Sequence, residues 1–402
     1  MNKKLGLAVA GALLAAASSA NAGITIPAGD WTVDIGGNVN AYYTHKTTDV
    51  SAHNSEGSSI SVPTGLYGNN VDGNTIGTGL LPAAFGIGAK TRQNDLDVAF
   101  QFSFFTGTSS GNGAAAGNNT LNIRQAFLTV GDASWGSIKG GRDLGVFGSD
   151  AILSDMTLLG VGVSAAGSST AAGGSSTLGR IGSGYIYADW KGQFAYTTPN
   201  FNGLQATVAV VEGFANGAQD LGYEGKVTYD FAANDVTGRV WLSGITQKTD
   251  ASAGVVGGYT SRGIDIGAKV AYQGAQLVGY YYDGRGLDSQ IGTFVTLPVV
   301  VGGLFNGTGI KTKDSGGYVQ ATFVVPGVGT KLGASWGESN SKIDNVGEIK
   351  NESWIVGAYH PLTKSLNLVA EYTAQEVKGT LVTGAGGKIE SDTVSLGAIL
   401  FF

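Results

Sequence analysis

Eight fixed charges lie between positions 124 and 180: Asp132 in a short turn, and seven others. Arg124, Lys139, Arg142 and Arg180 are basic; Asp143, Asp150 and Asp155 lie among them. The three histidines, His45, His53 and His360, are elsewhere, and the chain has no cysteine. Histidine, the commonest proton-transfer group, and the cysteine nucleophile are therefore absent from the stretch. Carboxylates and guanidiniums alone can set an electric field. Held across a water-filled gap they would form a selectivity constriction; on a solvated surface loop they would be incidental. The segment from 143 to 183 is about forty residues without clear secondary structure, which in a compact domain is usually functional or disordered.

Something must hold that segment, and alternation shows what. Trp31, Val33, Ile35, Val39, Ala41 and Tyr43 share one face of a run whose other face holds Thr32, Asp34, Asn38 and Asn40. The same period of two recurs at Leu96–Phe104, Tyr223–Phe231, Ile264–Tyr272 and Val319–Val325. Each run is about ten residues, enough to cross a bilayer as a tilted strand. Lys226, Arg239 and Lys269 fall mid-strand on polar faces, which suits a wet interior. Aromatic residues recur near strand ends, as at an interfacial girdle.

The links also alternate. Short ones fall at 92–94, 131–134, 200–203, 232–235, 273–274, 326–329 and 361–364. Long ones, rich in Gly, Ser and Asn, fall at 44–79, 106–120, 143–183, 214–221, 248–261, 284–315, 341–350 and 378–390. Eight long and seven short links join sixteen strands. The expected fold is all-β: a transmembrane antiparallel barrel of sixteen strands, with 143–183 folded inward. The runs at 184–199 and 275–283 are the least regular. A soluble sandwich shares the alternation, but the export leader, the mid-strand charges and the aromatics near strand ends favour the membrane.

Composition agrees. Residues 1–22 form an export leader: Lys3 and Lys4, an apolar run to Ala17, and Ala20-Asn21-Ala22 at the cut. This leaves 23–402 as one barrel domain. Charged residues are 13%, against about 25% in soluble domains. Without Lys3 and Lys4 the chain carries 22 basic and 30 acidic side chains, a net of −8, which argues against nucleic acid. The absence of cysteine removes disulfides and thiolate metal sites.

Other motifs weigh little. Gly86–Thr91 lacks the glycine before lysine that a phosphate loop needs. No EF-hand spacing occurs in the acidic loops. Tyr280-Tyr281-Tyr282 cannot share one face of a strand. No catalytic residue, metal site or cofactor is expected.

These residues resemble a known family. Arg124-Gln125-Ala126-Phe127, a Gly-Ser turn, Gly141-Arg142-Asp143 and Ser154-Asp155-Met156 look like the entry to the inward third loop of Gram-negative general diffusion porins. Gly179-Arg180-Ile181-Gly182 resembles the exit. Leu396, Leu400 and Phe402 recur at every second or fourth position, and the Leu400-Phe401-Phe402 ending resembles the family's assembly signal. The resemblance implies an outer-membrane homotrimer with one pore per subunit. It also implies contacts with lipopolysaccharide and the barrel assembly machinery, and passive diffusion of ions and small hydrophilic solutes. The seven charges above would line its constriction. Two departures weaken that field: Thr157–Gly160 carries no acid, and Leu80–Phe85 carries no arginine. Four basic groups against three acids predict weak anion selectivity or near neutrality. A substrate-specific channel for sugar, phosphate or organic acid is the rival reading. An adhesive barrel or a membrane enzyme lies further off.

Overall fold

The computed structural model describes residues 23–53, 73–107, 121–164, 176–213, 220–249, 258–287 and 311–402. The expected leader, 1–22, lies outside the described residues, as do parts of six expected long loops.

Eighteen strand segments build the sheet. They are Ile24–Ala28 (β1), Trp31–His53 (β2), Gly73–Gly77 (β3), Ala83–Gln93 (β4), Leu96–Thr106 (β5), Asn122–Asp132 (β6), Gly136–Leu144 (β7), Trp190–Thr197 (β8), Leu204–Val211 (β9), Gly222–Ala233 (β10), Val236–Thr249 (β11), Tyr259–Tyr272 (β12), Ala275–Arg285 (β13), Lys313–Val324 (β14), Lys331–Ile343 (β15), Gly347–Pro361 (β16), Leu366–Leu381 (β17) and Gly386–Phe401 (β18). Two positions are shared. β3 and β4 pair with successive parts of β2. β1 takes the edge of β2 below the point where β18 ends. Sixteen positions remain, all antiparallel, and β18 pairs with β2 from Gly386↔His53 to Phe401↔Asn38. The barrel closes there. Gly37 N–H donates to the Phe402 carbonyl at 2.9 Å, and Phe402 N–H to the Gly37 carbonyl at 3.1 Å. Closure joins the last strand to the first barrel strand, which is what a lipid-embedded sheet must do to satisfy its end edges.

The two faces differ as alternation requires. On β18, Val394, Leu396 and Leu400 are 44%, 52% and 40% exposed, while Thr393 and Ser395 are 2% and 1%. The outer rows are thus apolar and the inner rows polar. Phe402 continues the outer row. A Cβ on Gly37 would come 2.8 Å from its ring and 2.2 Å from the Ala84 carbonyl oxygen, so only glycine fits at the seam. Phe402→Ser is expected to lower the amount of folded barrel in the outer membrane without changing conductance per pore. Heat-modifiable mobility on a gel measures it, and normal levels would contradict it.

Turn chemistry is local. Asn94 and Asp95, with φ of 49° and 62°, join β4 to β5, and Gln273-Gly274, at 44° and 85°, join β12 to β13. Positive φ at both central residues is the twist that suits a two-residue hairpin.

Several expected boundaries move. β2 runs on to His53, well past Tyr43. The second position is split into β3 and β4 and starts at Gly73 rather than Leu80, and the irregular runs resolve as β8 and β13. The links expected at 341–350 and 378–390 are not long loops: β15–β16 and β17–β18 are tight hairpins turning at 344–346 and 382–385. Their Gly, Ser, Lys and Glu content reads as loop, but the backbone ladder continues through them with the charges alternating onto the outer face.

Strand β6 has apolar residues at both parities, and a bulge explains it. Ser103 pairs with Gln125 and Phe104 with Ile123, so Arg124 is the extra residue. The shift sends Ile123, then Ala126, Leu128 and Val130, to the outer face, and it turns Gln125 and Phe127 inward.

Candidate functional site

The described chain between β7 and β8, residues 145–164 and 176–189, is bonded to inner-row side chains around the wall. At its start Phe147 N–H donates to Glu224 at 2.9 Å, as does Val146 N–H. Lys191 Nζ neutralises the same carboxylate at 2.6 Å. Gly148 N–H donates to Asp265 at 3.1 Å. A short helix, α1 (Ser149–Ser154), follows. Its Asp150 pairs with Lys226 at 2.6 Å and Arg239 at 3.0 Å. Burial alone would raise the Asp150 pKa; the two cations outweigh it and hold the carboxyl below its ordinary range.

Further on, Gln320 accepts from Met156 N–H at 2.8 Å and donates to the Ser154 carbonyl at 3.0 Å. Asp155 caps the turn Met156–Leu159 by accepting from Thr157 N–H at 2.9 Å. Tyr42 donates to the Leu159 carbonyl at 2.7 Å. Glu371 accepts from Val161 and Gly162 N–H groups, both at 2.8 Å, and from the Tyr359 hydroxyl at 2.6 Å. A Cβ on Gly79 would come 2.0 Å from the Gly160 carbonyl oxygen, so the segment and β3–β4 meet backbone to backbone. On the return, Arg180 Nε donates to Ser335 at 2.6 Å and Nη1 to the Ser353 hydroxyl at 3.1 Å. Asn351 donates to the Gly182 carbonyl at 2.7 Å. Apolar packing fills the space between: Phe147, Ile152, Met156, Val161 and Ile181 join Tyr185, Tyr280 and Tyr318 in one buried cluster.

The seven charges expected at a constriction do not gather at one point. Asp150, Asp155 and Arg180 belong to the segment and are buried. Asp155 is spent inside it, accepting from the Tyr185 hydroxyl at 2.8 Å and Arg180 N–H at 3.2 Å. Arg180 is 0% exposed and has no carboxylate within ion-pair distance among the described residues; its Nη2 has no partner. It is an anchor rather than a water-facing charge. Asp143 lies on β7, bonded to Lys139 and to Gln125 at 2.9 Å. Arg124 is also buried, its guanidinium 5.0 Å from the Phe105 ring and 6.0 Å from Trp190. Arg142 is the exception. It pairs opposite Ala126 and Gly192, the row shared with Ile138 and Phe194, and is exposed on the outer face. The even parity of 142 against the odd parity of 139 and 143 carries that information.

The wall residues that receive the segment are Glu224, Asp265, Gln320, Ser335, Ser353 and Glu371. Alternation assigns each to a polar face, but nothing in sequence tells a carboxylate that accepts backbone N–H groups from one that lines water. Tyr280 and Tyr282 point inward and Tyr281 outward, as strand geometry requires. Among the described residues no group of three or more His, Cys, Asp or Glu could hold a metal.

Known structures share this architecture. The outer-membrane channel DcaP of Acinetobacter baumannii superposes with a TM-score of 0.63 at 16% identity, covering 95% of this chain and all of that one. OmpF of Salmonella typhi, solved with daunomycin, gives 0.58 at 15% identity, covering 94% and 100%. OmpT of Vibrio cholerae gives 0.52 at 13%, covering 94% and 100%. At such identity the likeness speaks to the fold. No curated protein matches the sequence significantly. The sequence itself matches the family model for Gram-negative porins over residues 7–380. The chain therefore belongs to the Gram-negative porin family: it is an outer-membrane β-barrel channel for passive diffusion of small solutes.

Proposed function

We propose that the described parts of the β7–β8 segment, 145–164 and 176–189, form the constriction of this channel, and that ions and small hydrophilic solutes pass it without any catalysed step. The observation that carries this reading is its ring of bonds to inner-row side chains on β10, β12, β14, β15, β16 and β17. A segment so held narrows the lumen by a fixed amount. The wettable inner charges lie below it, near the short turns.

Three further statements belong to the same reading. The leader 1–22 is removed, and Leu396, Leu400 and Phe402 present the assembly signal to the barrel machinery. Three copies associate; OmpT of Vibrio cholerae has been solved in a trimer form. The outer face meets lipopolysaccharide above the tryptophan pair Trp336–Trp354, whose rings are 6.3 Å apart. There one ladder row reads Glu338, Glu352, Glu376, Glu390, Asp49, and the next row holds Lys350, Lys378 and Lys388. Like charges opposed in a sheet are unfavourable, so such rows belong where water, counter-ions and headgroups reach them.

Single-channel recording in planar bilayers tests the reading. Discrete, ohmic steps that do not saturate with salt support diffusion. Steps blocked by micromolar solute would indicate a specific channel, and silence would remove the reading.

A further inference from the structure

Most lumenal cations in the half of the barrel nearest the short turns are neutralised. Lys90 pairs with Asp34 at 2.9 Å, and Arg92 with Asp97 at 3.0 Å and Asp132 at 2.9 Å. Lys139 pairs with Asp143. Lys226 pairs with Asp150 at 2.6 Å, and Arg239 with Asp230 at 2.6 Å and Asp150 at 3.0 Å. Two inner-row lysines differ. Among the described residues, Lys269 and Lys331 have no carboxylate within ion-pair distance, and both are half-buried rather than covered. Lys269 stands directly opposite Arg239 on one side and Val278 on the other. Lys331 stands opposite Tyr359, its Nζ 4.7 Å from the ring centroid.

Like charges facing each other across a strand pair repel, so the Arg239–Lys269 pair gains from a mobile anion. The carboxylates nearest Lys269, Asp150 and Asp230, are already shared between Lys226 and Arg239, and those bonded to the segment are out of reach. Asp155, Asp265 and Glu371 are 4%, 1% and 4% exposed and accept from backbone N–H groups and hydroxyls. A solute moving through the lumen can touch the lysines but not these acids.

We propose that Lys269 and Lys331 set the solute preference of the pathway, each holding small anions, carboxylates or inorganic, as they pass. The proposal rests on the channel reading above and gives it a solute class. The two lysines are on β12 and β15, three strand spacings or roughly 15 Å apart. An anion therefore leaves one before it engages the other, and each hold is weak, as conduction demands.

The test is the reversal potential of the full-length protein in planar bilayers under a potassium chloride gradient at low salt. Lys269→Gln and Lys331→Gln should each lower the chloride-to-potassium permeability ratio about two-fold, the size expected of one charge acting across about 7 Å of screened water. The double variant should lower it about four-fold, and Lys269→Arg should leave it unchanged. Lys269→Met keeps the apolar stem and reads the same loss if the Gln variant inserts poorly. Conducting variants with an unchanged ratio would overturn the proposal and leave the channel standing. No conductance from the unmutated protein would overturn both.

Discussion

Glu371→Leu is expected to raise single-channel conductance and add open-channel noise. The carboxylate holds one arm of the proposed constriction through two backbone N–H groups, Val161 and Gly162, both at 2.8 Å. Its other oxygen takes the Tyr359 hydroxyl at 2.6 Å. Leucine accepts none of these. Hydrogen bonds to a charged acceptor are worth about 1.5–3 kcal/mol each, so the two backbone bonds represent about 3–6 kcal/mol. The orphaned donors can be satisfied only by water, which requires the arm to lift from β17. Glu371→Gln keeps one acceptor oxygen and should fall between. Conductance equal to the parent's in both variants would show that this contact does not hold the segment.

Arg180→Ala is expected to weaken the barrel more than it alters selectivity. The side chain ties the returning arm to Ser335 and Ser353 across two adjacent strands. Its loss removes two charge-assisted bonds and leaves a void between the segment and the wall. The expected cost is about 2–5 kcal/mol, read as a lower midpoint in heat-modifiability or urea unfolding. The reversal potential should move less than in Lys269→Gln, because a guanidinium with 0% exposure does not meet solute. A large shift in selectivity with unchanged stability would reverse that assignment and restore Arg180 to the water path.

These expectations show where sequence was sufficient. Period-two alternation and the spacing of turns carry the barrel, because the side-chain direction of a strand is fixed by parity. Asn38, Asn40, Thr393 and Ser395 could be assigned inward on that ground alone. Arg124 could not, since a bulge resets parity and has no sequence mark strong enough to fix it. The tight hairpins of β15–β16 and β17–β18 were hidden for a different reason. Charged outer rows such as Glu352 and Lys350 look like solvated loop until pairing is known.

The site was less legible than the fold. Charge type in a sequence does not show whether the charge is cancelled. Asp150 and Arg239 neutralise each other from residues 89 apart in sequence. The two lysines left over become visible only when every pair has been placed. Arg142 differs again: its position one row off from Asp143 was readable from parity, and the resemblance of Gly141-Arg142-Asp143 to the family's loop entry pointed the other way.

Which rows face the water path can be read directly by one measurement. The chain has no cysteine, so single substitutions give clean thiol probes. Lys139 and Arg142 are three residues apart on β7 and on opposite faces. A bulky, water-soluble thiol reagent added to the conducting Lys139→Cys variant should produce a stepwise fall in conductance. The same reagent on Arg142→Cys should change nothing. A fall with Arg142→Cys and none with Lys139→Cys would contradict the assignment of inner and outer faces and, with it, the placement of the constriction.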